Sequence, residues 1–263
     1  MRKIWVLMRK EWAEVFRNKL VLFTTAFLPL LFVGMALGSL YFSADLTGDG
    51  FSMLDDMPAE FTAMCQGLTG AGCMQYYIVS QFMLLFMLVP MIVPITFASY
   101  SIVGEKSTRT LEPLLATPIR TIELLTGKAL AAVLPAVLTT YLAFLVYAVG
   151  AYLMAVDPAV ISKFFDPLWL TAVVVVGPLL GVLGVSLAVM ISSRASDPRV
   201  AEQVSGLFVL PLIGLFIAQS LGLVFINAQI ILWMVVILLV LDSALLFFAT
   251  RLFQRETILT RWK

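Results

Sequence analysis

The sequence predicts an all-α fold: a six-span transmembrane helix bundle, with an N-terminal amphipathic interfacial helix and a further helical segment between spans two and three. Three observations carry this expectation. Charged residues cut the 263-residue chain into uncharged stretches, Leu20 to Ala44, Phe61 to Gly104, Ala129 to Val156, Pro167 to Ser193 and Gln203 to Leu241, each at least as long as the roughly 20 residues that cross a bilayer as a helix. The last stretch continues past Asp242 to Thr250 and is interrupted by Asn227 and Gln229, so it reads as two helices joined by a tight turn. Of the 17 Lys and Arg, 16 fall in alternate intervals between spans. The composition, 61% hydrophobic and 13% charged, leaves a soluble domain of this size too little polar surface to cover itself.

The charge distribution orients the bundle. With both termini inside, segments 1–19, 105–128, 194–202 and 251–263 carry sixteen bases against eight acids, and the outer segments carry one base, Lys163, against seven acids. A five-span count would put Arg251, Arg255, Arg261 and Lys263 outside, against the rule that short basic loops stay cytoplasmic. The expected location is therefore the cytoplasmic (inner) membrane, multi-pass, with cytoplasmic N- and C-termini. The basic residues are divided among membrane-flanking segments, which argues for lipid contact and against nucleic acid.

The elements follow in order, as one transmembrane domain over 1–263. In residues 1–19, Ile4, Trp5, Met8, Trp12, Val15 and Phe16 share one helical face, and Arg2, Lys3, Arg9, Lys10, Glu14 and Arg17 occupy the rest. This is an amphipathic helix for the inner headgroup layer, with Trp5 and Trp12 as interfacial anchors beside Arg9 and Lys10. It serves either as a simple anchor or as an elbow that also touches a cytoplasmic partner. Its charge, and an apolar run after it too long for a signal-peptide core, argue against a cleavable signal.

Spans are expected at about 20–42, 76–103, 128–156, 167–192, 204–226 and 229–250. Gly34 and Gly38 in the first, and Gly177, Gly181 and Gly184 in the fourth, permit close helix approach, within the chain or at a dimer seam. Pro29, Pro90, Pro94, Pro135, Pro178 and Pro211 each leave a carbonyl that a neighbour or water must satisfy. The outer loop 43–75 holds Cys65 and Cys73. Outside the cytoplasm this pair can form a disulfide worth roughly 2 kcal/mol, the alternative being two free thiols.

The cytoplasmic segment 104–127 interleaves Leu111, Leu114, Leu115, Ile119, Ile122 and Leu125 with charges. Thr117 as N-cap and Pro118 at the first helical position restart the helix that feeds span three. Short helices of this kind either dock a protein partner or lie as surface helices.

Chemistry is narrowed by what is missing. The chain has no His, the commonest general base and metal ligand, so neither a catalytic site nor a metal site is expected. Gly104–Thr108 and Gly127-Lys128 both lack the glycine spacing of a phosphate-binding loop, so no cofactor is expected to bind directly. One charge falls inside a span: Asp242, about nine residues or roughly 13 Å from the inner end of span six. It is either a contact for a cation or proton on a transport path, or a structural or protonated carboxyl, with Gln219 and Ser220 as its nearest polar suspects by depth.

The layout, the start Met1-Arg-Lys-Ile-Trp-Val-Leu-Met-Arg-Lys-Glu-Trp and the run Glu105-Lys-Ser-Thr-Arg-Thr-Leu-Glu-Pro-Leu-Leu-Ala-Thr-Pro118 resemble the permease subunit of ABC-2 type transporters. The stretch Ser193 to Leu207, followed by Leu210-Pro211, is similar to the sodium-export and copper-enzyme-maturation branches. The resemblance implies a non-enzymatic export subunit that pairs with a second permease copy or paralogue. A separate ABC ATPase subunit would hold the ATP and Mg. The resemblance also implies a cytoplasmic coupling helix at about 105–117, with Glu105, Arg109, Leu111, Glu112, Leu114 and Leu115 facing the ATPase. The alternatives are an ion-driven secondary transporter and a membrane scaffold for envelope-enzyme maturation.

Overall fold

A computed structural model describes residues 2–17, 19–45, 68, 70–107, 121–195 and 197–252. Among these residues eleven α-helices follow one another: α1 (Arg2–Val15), α2 (Lys19–Asp45), α3 (Gly70–Phe86), α4 (Val89–Ser107), α5 (Thr121–Met154), α6 (Pro158–Ser162), α7 (Pro167–Thr171), α8 (Gly177–Arg194), α9 (Pro198–Gly206), α10 (Leu210–Ser220) and α11 (Ala228–Leu252). They assemble into six spans: Val21–Ala44, Ala71–Ser101, Ile122–Met154, Pro158–Arg194, Pro198–Ser220 and Ala228–Ala249. The six-span all-α bundle and the N-terminal amphipathic helix expected from the sequence are both present.

The helices are long because the bilayer demands it. With no water to serve the backbone, every N–H and C=O must be paired inside the segment, and apolar side chains cover the outside. Leu30, Phe42, Leu138, Leu142, Leu153, Leu232 and Val240 are exposed around the bundle, which suits a hydrocarbon solvent.

Span two is the centre. Of its most apolar window 83% is buried, against 17% for spans five and six. Its second half, α4, packs most extensively on α8, and glycine decides that closeness. A Cβ on Gly184 would stand 2.6 Å from the Met91 carbonyl oxygen, and one on Gly181 3.1 Å from that of Pro90. The glycines of span four therefore serve packing within the chain. Gly34 and Gly38 of α2 meet nothing within 4 Å of a built Cβ.

Three prolines break or bend spans in ways the backbone accounts for. Span two turns at Met87–Leu88, where the amides of Met87 and Leu88 bond only three residues back, just before Pro90. Span four widens into a π-turn at Ala172–Val176, with the Gly177 amide reaching back to the Ala172 carbonyl. Pro178 follows and cannot serve the Val174 carbonyl, to which the Tyr141 hydroxyl donates at 3.4 Å. The third, Pro135, belongs to the site described below.

The expected turn between spans five and six is also present. Gly222 takes φ 71°, a conformation that favours a residue without Cβ, and the Asn227 side chain accepts from the Ile230 amide at 2.9 Å to cap α11. Away from the α1 end, Gln75 ties three spans together. Its amide donates to the carbonyls of Leu40 and Met154, and its oxygen accepts from the Val156 amide.

Candidate functional site

The distinctive polar cluster sits where α1 meets the last turns of α4 and the first turns of α5. Gly127 lets α1 come close, because a Cβ there would stand 3.2 Å from Leu7 Cβ. The face of α1 that turns inward carries Leu7, Met8, Glu11 and Val15, all buried. Glu11 is only 3% exposed and Lys128 of α5 only 7%, so both charges have left water.

They do so as a closed set. The Lys128 ammonium donates to Glu11 Oε1 at 2.8 Å and to Ser101 Oγ at 2.7 Å, and the Ser101 hydroxyl of α4 donates to Glu11 Oε2 at 2.6 Å. Three helices thus share one hydrogen-bonded triangle. Lys10 stands 3.7 Å from Glu11 and 3.3 Å from Glu14, and the half-exposed Lys3 pairs with Glu123 at 3.9 Å. The Lys10–Glu14 and Lys3–Glu123 pairs are solvated and contribute little.

Burial by itself pushes the Glu11 carboxyl up. The Lys128 charge, the hydrogen bonds from Lys128 and Ser101, and the Lys10 charge together bring it below its ordinary value, so the pair is ionic at neutral pH. A buried pair of this kind gains little over an apolar one, but breaking it strands a charge at a cost of about 3–5 kcal/mol. Its effect is to define one docking position for α1.

A second contact reinforces that position. The Trp12 indole N–H donates to the Ala131 carbonyl at 2.9 Å. Ala131 lies four residues before Pro135, so its carbonyl is the one that proline leaves without a helical donor. α1 supplies it. The crevice beside this cluster, lined by Trp12, Phe97, Ser101 and Val185 among others, has a volume of only about 10 Å³. That is too little for a ligand, and what the cluster does in the structure is join three helices.

The residues singled out in the sequence fall differently around it. Trp12 is in the joint, Trp5 is 58% exposed and edge-on to Trp12 at 5.9 Å, Arg9 is exposed and Lys10 half-buried. Glu105 stands in the last turn of α4. Arg109, Leu111, Glu112, Leu114 and Leu115 lie outside the described residues, in the segment between α4 and α5. Cys73 is buried near the start of α3, and Cys65 lies outside the described residues.

Asp242 and Gln219 are both buried, but at different depths. Gln219 is the penultimate residue of α10, at the end remote from α1. Asp242 is 14 residues into α11 from that same end, or about 21 Å by helical rise. In span two the buried Thr96 hydroxyl donates to Glu202 Oε1 of α9 at 2.6 Å.

Sequence reasoning missed Glu11, Ser101 and Lys128. One signal pointed to Glu11: it continues the apolar positions 4, 8 and 15 of α1, and a carboxylate on an apolar stripe needs a partner. No spacing links it to Ser101 or Lys128, which lie 90 and 117 residues away.

Six apolar spans around a buried second span, with an amphipathic helix locked across one end, define a polytopic α-helical membrane protein. The family model for ABC-2 family transporter proteins matches residues 5–232, most of the chain, and the chain belongs to that family. It is a membrane permease of the ABC-2 transporter type, a transport component. No curated protein matches it.

Proposed function

We propose that the chain is the permease subunit of an ABC-2 exporter in the inner membrane, with both termini cytoplasmic. A second permease chain and two copies of a separate ATPase subunit complete the transporter, and the ATPase hydrolyses the ATP. The segment 105–117 is the coupling element seated on that ATPase, with Leu111, Glu112, Leu114 and Leu115 as its contacts.

The observation that carries the reading is the Glu11–Lys128–Ser101 joint. Ser101 and Lys128 belong to the two helices that flank this segment, and Glu11 belongs to the elbow. A push on the segment is therefore delivered to α4, α5 and α1 as one body. Span two, so driven, is the most buried in the bundle, and its glycine-tight contact with span four passes the displacement on. Interdigitated packing of this kind shifts between discrete arrangements and does not deform smoothly.

Co-purification tests the proposal. The tagged chain is extracted in mild detergent and its companions identified by mass spectrometry, with Glu112→Lys and Leu115→Lys as variants. An ABC ATPase recovered with the native chain and lost from both variants supports the reading. A folded, monodisperse preparation that recovers no ATPase overturns it.

A further inference from the structure

A pocket that the joint does not use opens toward lipid at the same end of the bundle. It has a volume of about 220 Å³ and lies between the first turns of α5, the second half of α8 and the last turns of α11. Ile122, Leu130 and Leu246 border its mouth and are exposed, so it fills from the hydrocarbon. Among the described residues no charged side chain lines it, and its walls are apolar except for two hydroxyls, Thr126 and Ser186. Hydroxyls elsewhere in the spans turn back on their own helix: Thr25, Ser80, Thr139, Thr140 and Ser205 each donate to the carbonyl four residues before. Ser186, only 3% exposed, and Thr126 make no hydrogen bond among the described residues. A hydroxyl left unserved away from water is costly, so both call for an acceptor from whatever occupies the pocket.

The depth of the two hydroxyls fits a membrane lipid. α5 and α8 belong to consecutive spans and run antiparallel, and they meet where a Cβ on Gly181 would stand 3.4 Å from Val133 Cγ1. Ser186 lies five residues beyond Gly181, so it is level with position 128 of α5, and Thr126 is about 3 Å nearer the α1 end by helical rise. The pair therefore shares one level of the pocket. Glu123, which pairs with the half-exposed Lys3, stands nearly one turn nearer that end and marks the headgroup layer. The polar layers add only about 5–7 Å to each face of the roughly 30 Å hydrocarbon core. The hydroxyls thus stand close to the core boundary, where glycerol esters give way to acyl chains. Deeper in the pocket, Val133 and Val182 offer only apolar wall.

We propose that the pocket holds one acyl chain of a glycerophospholipid from the leaflet on the α1 side, with the ester carbonyl accepting hydrogen bonds from Ser186 and Thr126. The carbons next to the ester lie between spans three, four and six, and the rest of the chain returns to the bilayer through the mouth. An apolar cavity of roughly 150 Å³ holds one benzene ring, so this one has room for that part of the chain. With no charge in its lining, the site recognises the ester and not the headgroup. A resident lipid of this kind does not depend on the permease reading.

The test is native mass spectrometry of the full-length chain released from micelles that contain equal amounts of a diacyl phosphatidylcholine and its dialkyl ether of the same chain length. The two lipids share headgroup and hydrocarbon and differ in the ester carbonyls, so their ratio on the protein reports the proposed hydrogen bonds. The native chain is expected to retain one lipid with about a fivefold preference for the ester, which is what one net hydrogen bond supplies. Ser186→Ala combined with Thr126→Val should keep lipid without that preference, and Leu246→Trp, at the mouth, should lose the preference with both hydroxyls intact. Equal retention of ester and ether by the native chain overturns the proposal, whether or not any variant folds. A preference for the ester that survives in either variant chain overturns it as well. No ATPase takes part, so failure here leaves the co-purification result standing, and the reverse also holds.

Discussion

Replacing Trp12 with Phe keeps the aromatic body and deletes one N–H. In the native chain that N–H lies 2.9 Å from the Ala131 carbonyl, which Pro135 leaves without its helical donor. A partly buried carbonyl left unsatisfied costs about 1–3 kcal/mol, so Trp12→Phe is expected to destabilise the bundle by about that amount. The same substitution in a Pro135→Ala background should cost about 1 kcal/mol less, because the amide that this change restores can bond to the Ala131 carbonyl within the helix. The difference between the two backgrounds isolates this hydrogen bond, because the lost indole area is common to both arms. Reversible unfolding of the four chains in mixed micelles of increasing SDS fraction supplies the free energies. Additivity within about 0.5 kcal/mol would refute the assignment of the indole as donor to the proline-freed carbonyl.

Three further outcomes follow from the geometry. Lys128→Met strands the Glu11 charge and should destabilise by about 3–5 kcal/mol, whereas Glu11→Leu combined with Lys128→Met should restore much of that loss; the same SDS unfolding series decides. Glu11 has its carboxyl held below its ordinary value of 4.5, so its contribution is complete above about pH 4.5 and disappears as the pH falls through the lower folded value. The stability advantage of the native chain over Glu11→Gln should therefore be flat from about pH 8 to about pH 5 and vanish only in stronger acid, which unfolding midpoints across that range will show. Gly184→Ala forces a Cβ to within 2.6 Å of a backbone oxygen and should cost about 1–3 kcal/mol, while Gly34→Ala, with nothing within 4 Å, should leave the melting temperature unchanged or slightly raised.

Much of the architecture was legible from the chain because the bilayer imposes one-dimensional rules. A spanning helix has a set length, the headgroup layers sort charge by side, and an amphipathic stretch with two Trp belongs at an interface. Those rules act on residues near one another in sequence, so Leu20–Ala44 and the basic first 19 residues were enough to place α2 and α1. Boundaries shifted where local chemistry competed. Asp157 caps α6 by accepting from the Ala159 amide, so the apolar helical run of the fourth span starts at Pro158, one short helix ahead of the one that Asp166 caps at Pro167. Asp197 caps α9 through the Arg199 amide, so the fifth begins at Pro198 and not near 204.

What only the tertiary structure decided is which polar groups meet. Glu11, Ser101 and Lys128 come from three helices, and their encounter depends on the close approach that Gly127 permits. The Trp12 contact depends in turn on Pro135, far along the chain. Asp242 was visible as an intramembrane charge, but its burial and its separation in depth from Gln219 follow from how α11 lies along α8. The sequence by itself determined the spans, their number and the end that carries positive charge, because burial in lipid is a property of each segment alone. The joint and the pocket required the fold, because a hydrogen bond or a cavity is a relation between segments that no periodicity in either one encodes.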